Sequence, residues 1–537
     1  MQPMNTTNFL HSAVDDTLAY ARAIGEIPLR ALFANHPRRF ESFSLKAGAI
    51  LADFSKQRID RLALQKLLTL AHAAGVREGI RRMVDGDIVN PTENRAALHM
   101  ALRYPGRQTA SFSAPGFEPF LPEIEAELAR MRAFCEEIHG GRKRGATGKL
   151  LTDVIHIGIG GSEEGPRLVV EALKNTTPTK LRVHFVANVD GAALAPLMRT
   201  LDPAQTLVVA VGKSFSTQEM VANADAARAW LTEQLPAEAV ARQLVAITAN
   251  RQAAEAFGAP PDQTFAFGDF VGGRFSVWSP VGLTIALAYG FPVFRRLLSG
   301  AQDLDAHFVE APLEANLPVL LALIDFWNVN GQRAASRCVL PYSQSLAGFL
   351  PWLQQLEMES LGKSVDLYGH PAQLAACPVV WGGVGTPGQH AFHQLLHQGG
   401  AFIPCEFLLL KKPDAPLADH HQKLLANALG QAAALAFGLS PEEAKHLPPW
   451  RAFPGNQPST TLLIDELSAR TLGQLMALYE HKVYCLSILW QLDAFDQWGV
   501  ELGKKKADTL LPLLTGQQDI PETLDTSTAG LIRALSS

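Results

Sequence analysis

Glu359 stands four residues after Gln355 in the stretch Gln355-Leu-Glu-Met-Glu359, a spacing that puts an amide and a carboxylate on one face of a helix. With Leu353, Leu356 and Leu361 interleaved, the carboxylate is either salt-bridged or raised in pKa by desolvation, and the second state suits a general base. Five other polar islands carry groups that complement a base. Gly158-Ile-Gly-Gly-Ser162 offers a tight turn at Gly161 and a hydroxyl at Ser162, beside backbone N–H groups that can face an anion. Gly212-Lys-Ser-Phe-Ser-Thr-Gln-Glu219 sets Ser214, Ser216 and Thr217, with the Lys213 ammonium, ahead of a helix expected from Gln218; such donors suit a monophosphate. Gly272-Gly-Arg274 aims a guanidinium that could stabilise a developing oxyanion. Gly385-Thr-Pro-Gly-Gln-His390 places a histidine at an expected helix start, where acid/base work is possible. Phe495 to Lys504 carries Gln497 and Lys504, an amide and an ammonium that could share a helix face or its loop. A phosphate cradle, a carboxylate, a histidine and cations, without a metal or redox motif, fit proton transfer on a phosphorylated small molecule, with isomerisation the economical version.

Each island has a plainer reading. Ser162 could be only a helix N-cap, Lys213 to Thr217 a capping turn with a solvated lysine, and Arg274 a surface loop residue. A dinucleotide fold is suggested by the first glycine turn and by Asp190 at the end of the next strand. Its fingerprint fails at the third glycine position, where Glu163 would repel pyrophosphate. His393 and His397 have the spacing of zinc ligands, but no glutamate accompanies them as in His-Glu-x-x-His, so no metal is expected.

The positioning elements follow from the apolar pattern. The chain has 537 residues, 18% of them charged, and a net charge of −5, which describes a folded protein with material for two cores. No basic stripe suggests nucleic acid, and no segment is long and uncharged enough to span a bilayer. Five scattered cysteines form no Cys-x-x-Cys pair, and the first residues lack a secretory pattern, so a reducing, cytoplasmic setting is expected. Residues 9–135 read as helices. Short apolar strands then alternate with helices: Val154 to Ile157, Leu181 to Ala187, Thr206 to Val211 and Gln243 to Thr248, with helices at Glu163 to Leu173 and Gln218 to Leu235. A helical bridge at about 280–330 leads to a second series. There, strands are expected at Arg337 to Tyr342, Pro378 to Trp381 and Ala401 to Pro404, with helices at Leu350 to Gly362 and Gln389 to His397. Helices at about 417–437 and 465–490 close it, and the residues after Lys506 read as an amphipathic tail that packs on a partner subunit or on its own domain. The rhythm predicts an α/β protein with two doubly wound, mainly parallel sheets.

Val271-Gly-Gly-Arg-Phe-Ser276, Met358-Glu-Ser360, Gly388-Gln-His-Ala-Phe392 with His397-Gln-Gly399, and Leu478-Tyr-Glu-His-Lys-Val483 followed by Phe495 to Lys504 resemble the signature segments of the glucose-6-phosphate isomerase family, in that family's order and over nearly the whole chain. The resemblance implies two sugar-isomerase (SIS) α/β domains, a homodimer with sites at the subunit boundary, and interconversion of glucose 6-phosphate and fructose 6-phosphate through a cis-enediol without a cofactor. It divides the chain into a helical N-terminal region (1–125), a smaller SIS domain (126–290), a larger one (291–510) and a tail (511–537). By motif, Ser162, Ser214, Ser216 and Thr217 hold the phosphate with Lys213 nearby, Glu359 moves the proton between C1 and C2, and Arg274 stabilises the enediolate. His390, from the neighbouring subunit, and Lys504 assist ring opening, while Gln355, Gln497, Gly161 and Glu219 complete the pocket. Gly212, Met220, Leu361 and Pro387 depart from the family pattern, which has serine, threonine, asparagine and asparagine at those places. None of these removes a proton-transfer group. A phosphosugar sensor that binds without turnover and a dinucleotide-dependent redox enzyme are the competing classes; the intact catalytic set argues against the first, the failed fingerprint against the second.

Overall fold

Runs of valine, isoleucine and leucine without charge become strands covered on both faces. The computed structural model describes residues 4–105, 110–266 and 268–536. Its strands are β1 (Ser44–Ala47), β2 (Ile50–Asp53), β3 (Asp153–Ile157), β4 (Arg182–Val186), β5 (Thr206–Val211), β6 (Leu244–Ile247), β7 (Thr264–Phe265), β8 (Ser336–Tyr342), β9 (Val379–Gly382), β10 (Cys405–Leu410) and β11 (Ser459–Ile464). One sheet, entirely parallel, has the order β4-β3-β5-β6-β7, and the other has the order β1-β2-β11-β10-β8-β9. The central strands β5 and β10 are buried at every residue. Helix Gln218–Gln234 covers the first sheet with Ala224, Ala227, Trp230 and Leu231, and helix His420–Phe437 covers the second with Ala428, Ala432 and Leu435.

The expected α/β alternation is present, with four corrections. Residues 9–135 are not all helical: β1 and β2 form a hairpin that pairs antiparallel with β11 and extends the second sheet. Two four-residue strands are too short to show their two-residue period against the neighbouring helical pattern. The strand expected at Ala401 to Pro404 begins at Cys405, because Pro404 has no N–H for the ladder. Two strands, β7 and β11, were not anticipated. The helix expected from Gln389 to His397 is interrupted: one helix ends at Gln389, the next starts at His393, and the Phe392 ring between them packs edge-on against Trp381 at 5.1 Å.

The chain folds as two compact units, Met1–Ala494 and Phe495–Ser537. Both sheets belong to the first. At its centre lies helix Ala469–Trp490, capped by Ser468 and buried on all sides from Leu472 to Ser487. Helix Phe291–Glu310 lies against it backbone to backbone. A Cβ added at Gly300 would stand 1.8 Å from the Arg470 carbonyl oxygen, and one at Gly473 2.1 Å from that of Leu297. The second unit holds a 3-10 turn at Trp498–Val500 and helices Glu501–Leu514 and Thr526–Leu535. No helix among the described residues is long and apolar enough to cross a membrane.

Candidate active site

The turn after β3 meets the Arg274 turn through glycine. Gly160 adopts φ +59°, which glycine takes without strain, and a Cβ at Gly161 would stand 2.0 Å from the Gly273 carbonyl carbon and 2.5 Å from the Arg274 nitrogen. The Ser276 hydroxyl donates to the Gly161 carbonyl at 3.2 Å. Arg274 is buried and held by Ser360 Oγ, which accepts from Nε at 2.6 Å, and by the Ala494 carbonyl, which accepts from Nη2 at 2.5 Å. Its Nη1 lies 3.8 Å from Glu359 Oε2. Gln355 Nε2 donates to the same Glu359 oxygen at 2.9 Å and would touch a Cβ at Gly160. The predicted helix is present here, but residues Gln355–Glu359 take π geometry, a local widening often found at functional sites. The Glu359 carboxylate thus has a guanidinium and an amide at the same oxygen.

Ser162 is not an N-cap: it closes a 3-10 turn, and the following helix has no side-chain cap. Its carbonyl accepts from His156 Nε2 at 2.8 Å, while Thr284 Oγ1 pairs with Nδ1 at 2.7 Å. Burial on β3 pushes the His156 pKa down to about 4, so the ring is neutral. Since the carbonyl can only accept, Nε2 carries the hydrogen. Glu163, the residue that spoils the dinucleotide fingerprint, is buried and paired with Arg167, while burial and the neighbouring Glu163 push Glu164 up to about 7. Asp190 turns its carboxylate to the backbone N–H of Ala192, within its own turn.

After β5, Ser214 and Ser216 are exposed with hydroxyls 2.7 Å apart, and Phe215 between them takes φ +56°, a strained conformation for a residue with a Cβ. Its ring is buried against Phe257, which holds the turn open. Lys213 reaches the loop before Arg274: Nζ donates to the Asp269 and Val271 carbonyls at 3.1 and 3.4 Å and pairs with the Asp269 carboxylate at 3.3 Å. Thr217 is the N-cap residue of helix Gln218–Gln234 but makes no side-chain cap, and Glu219 lies in that helix's first turn.

The structure thus brings Gly161, Arg274, Gln355 and Glu359 together and ties Lys213 to the same loop. His390 lies apart from that contact set, exposed at the helix interruption rather than at a helix start, and its ring has no hydrogen-bond partner among the described residues. Gln497 and Lys504 belong to the second unit and do not share a helix. Gln497 precedes the 3-10 turn, while exposed Lys504 pairs with Glu501 at 3.0 Å within its helix. His393 and His397 both turn to Gln431 Oε1, at 3.0 and 2.8 Å, which accounts for their spacing. A cavity of about 730 Å³ lined by Arg58, His397 and Trp450 contains none of the predicted site residues.

The sequence profile described as phosphoglucose isomerase matches residues 53–532. This chain belongs to the phosphoglucose isomerase family. It is 49% identical to the glucose-6-phosphate isomerase of Dechloromonas aromatica, over 96% of this chain and 97% of that one, and 46% identical to the enzyme of the same name from Methylococcus capsulatus, over 95% of each. The crystal structure of a glucose-6-phosphate isomerase from Chlamydia trachomatis superposes with a TM-score of 0.85 at 31% identity, covering 96% of this chain and 98% of that one.

The phosphoglucose isomerase signature around Leu478 to Val483 supplies residues that the site prediction omitted. Lys482 Nζ donates to Glu357 Oε1 at 2.9 Å and to Asp325 Oδ2 at 2.6 Å, and Arg337 bridges the same two carboxylates, from Nη2 to Glu357 Oε2 at 2.7 Å. Burial opposes charge at Glu357, yet Arg337 and Lys482 hold its carboxyl below the usual range. On the opposite face of that helix, Glu480 accepts from Arg103 Nη1 at 2.6 Å and from Trp278 Nε1 at 2.7 Å; its burial pushes it up to about 7 against both donors. The available signal was Glu-His-Lys inside an apolar helix. Two of the positions that depart from the family pattern also touch: a Cβ at Gly212 would stand 3.1 Å from Met220 Cε.

Proposed function

We propose that this chain interconverts glucose 6-phosphate and fructose 6-phosphate by ring opening and proton transfer through a cis-enediol. The observation that carries the reading is the base and cation side by side: Glu359 Oε2 3.8 Å from a buried guanidinium, with an amide on the same oxygen. A hydrogen next to a sugar carbonyl is a weak acid, so its removal needs a positioned base and a fixed positive charge where the oxyanion develops. Glu359 moves the proton between C1 and C2, and Arg274 faces the enediolate. Ser162, Ser214, Ser216 and Thr217 hold the phosphate, with Lys213, Glu219 and Gly161 completing that end. His390 and Lys504 assist ring opening, and Gln497 joins Gln355 at the sugar.

The exposed His390 ring supports its use by a neighbouring subunit in a homodimer. The reading includes a cytoplasmic setting, no cofactor, and neither nucleic acid nor membrane as partner. It also includes SIS domains at 126–290 and 291–510 between a helical N-terminal region and the tail 511–537. A coupled assay with both hexose phosphates and no added metal tests it. Turnover by the wild type with kcat reduced about 10²- to 10⁴-fold in Glu359→Gln is expected, and full activity of that variant would refute the assignment.

A further inference from the structure

Glu480 and Lys482 are two residues apart on helix Ala469–Trp490, so they point about 200° apart around its axis. Glu480 contacts the turn that bears Arg274, and Lys482 the turn that bears Glu359. Arg274 lies on the 3-10 turn Gly273–Trp278, and the last residue of that turn donates its indole N–H to Glu480 at 2.7 Å. Glu359 ends the π turn Gln355–Glu359, and Glu357 in that turn accepts from Lys482 at 2.9 Å. Fixing Glu357 fixes the helical phase of Glu359, two residues on. Ser360 Oγ then joins the two turns directly by accepting from Arg274 Nε at 2.6 Å.

Stability alone is a poor reason for these contacts. Buried ion pairs are replaced by apolar side chains at little cost in many cores, because desolvating the charges offsets their attraction. A directional contact from one rigid helix to each of the two reacting elements does something an apolar contact cannot: it specifies a distance and a rotation. The helix is suited to the task, being fixed by backbone contact at Gly300 and Gly473.

We propose that one turn of helix Ala469–Trp490 clamps both halves of the proton-transfer pair, with Trp278, Glu357, Glu480 and Lys482 as positioning residues that set the Arg274–Glu359 separation. This rests on the reading of Glu359 as base and Arg274 as its facing cation.

The test compares Trp278→Phe and Glu357→Gln with Tyr484→Phe. Tyr484 donates to the Gly79 carbonyl at 2.8 Å from the same helix, so its variant loses one buried hydrogen bond away from the pair. The expected result is a kcat lowered about 10- to 100-fold at unchanged KM in the first two, wild-type kcat in the third, and an Arg274–Glu359 separation that departs from 3.8 Å in crystal structures of the first two. Losses no greater than those of Tyr484→Phe at matched Tm, or an unchanged separation, overturn the clamp. Trp278→Phe, which leaves no charge without a counter-ion, decides the matter if Glu357→Gln does not fold. The crystallographic arm is independent of turnover: an inactive wild type whose variants still shift the separation removes the proposed function and keeps the clamp.

Discussion

The turns after β3 and β5 and the π turn that bears Glu359 are built on opposite plans. On the proposed phosphate side, the candidate donors are exposed hydroxyls on short turns, Ser214 and Ser216, shaped by glycine and by one strained residue, Phe215. His156, buried on β3 against the carbonyl of Ser162, is kept neutral. Around Glu359 and Arg274 the charges are inside the protein, and Arg337, Lys482, Asp325 and Glu357 are paired with one another out of water. The difference follows from who supplies the charge. A phosphate brings its own, so its cradle can stay solvated until the ligand arrives; a base and its facing cation must hold their geometry before the transition state forms.

Acid titration sharpens this contrast with the largest expected effect, because the two regions carry opposite signs. His156 is neutral in the fold down to about pH 4 and titrates at 6.5 in the unfolded chain. The unfolded state binds the proton first, so this contribution is complete above pH 6.5 and is lost as pH falls toward 4. Glu480 is raised from 4.5 to about 7, so the folded state binds the proton first. Its contribution is complete below pH 4.5 and is lost as pH rises through 7. Each spans about 3 kcal/mol. Denaturant unfolding between pH 4 and 7 should show the stability gap between wild type and His156→Gln growing with pH, and the gap for Glu480→Gln shrinking. Slopes of the same sign would break the comparison.

The contrast also explains what could be read from residue order. Glycine turns after short apolar strands announce themselves locally, so β3 with Gly158–Ser162 and β5 with Lys213–Thr217 were legible, as were Gln355 and Glu359 at helical spacing. The partners of the buried ions were not. Lys482 meets Glu357 across 125 residues and Arg103 meets Glu480 across 377, separations at which no periodicity operates. The break at His390 was hidden for a related reason: the local pattern favours a continuous helix, and the packing of Phe392 on Trp381 overrides it. At Ser162 the plainer cap reading does not hold, because a 3-10 turn takes the place of a capped first turn.

A smaller effect is expected from the proposed phosphate turn itself. Ser214 is exposed and its hydroxyl meets only Ser216 among the described residues. Ser214→Ala should therefore leave unfolding free energy within about 0.5 kcal/mol of wild type. Losing a hydrogen bond to a charged oxygen should raise KM about 10-fold at constant kcat. A drop in kcat with KM unchanged would place Ser214 with the proton-transfer group and erase the division between the two regions.

The smallest effect concerns how the proposed phosphate turn is packed from below. Gly212 has φ outside the left-handed region, so a side chain there is a question of space alone, and the space is limited by Met220 Cε, 3.1 Å from where a Cβ would stand. Met220 is buried at the start of helix Gln218–Gln234, and the end of its thioether lies against the space that a side chain at 212 would enter. Gly212→Ser should force the thioether aside, and Met220→Thr should leave a void; each alone is expected to destabilise by about 1–2 kcal/mol. In the double variant the serine enters the space the methionine leaves. The two changes should then be less harmful together than their sum, by about 0.5–1 kcal/mol in a double-mutant cycle of unfolding free energies. Strict additivity would mean that the turn yields to a side chain at 212 without help from the helix, and that the phosphate side is looser in its interior as well as at its surface.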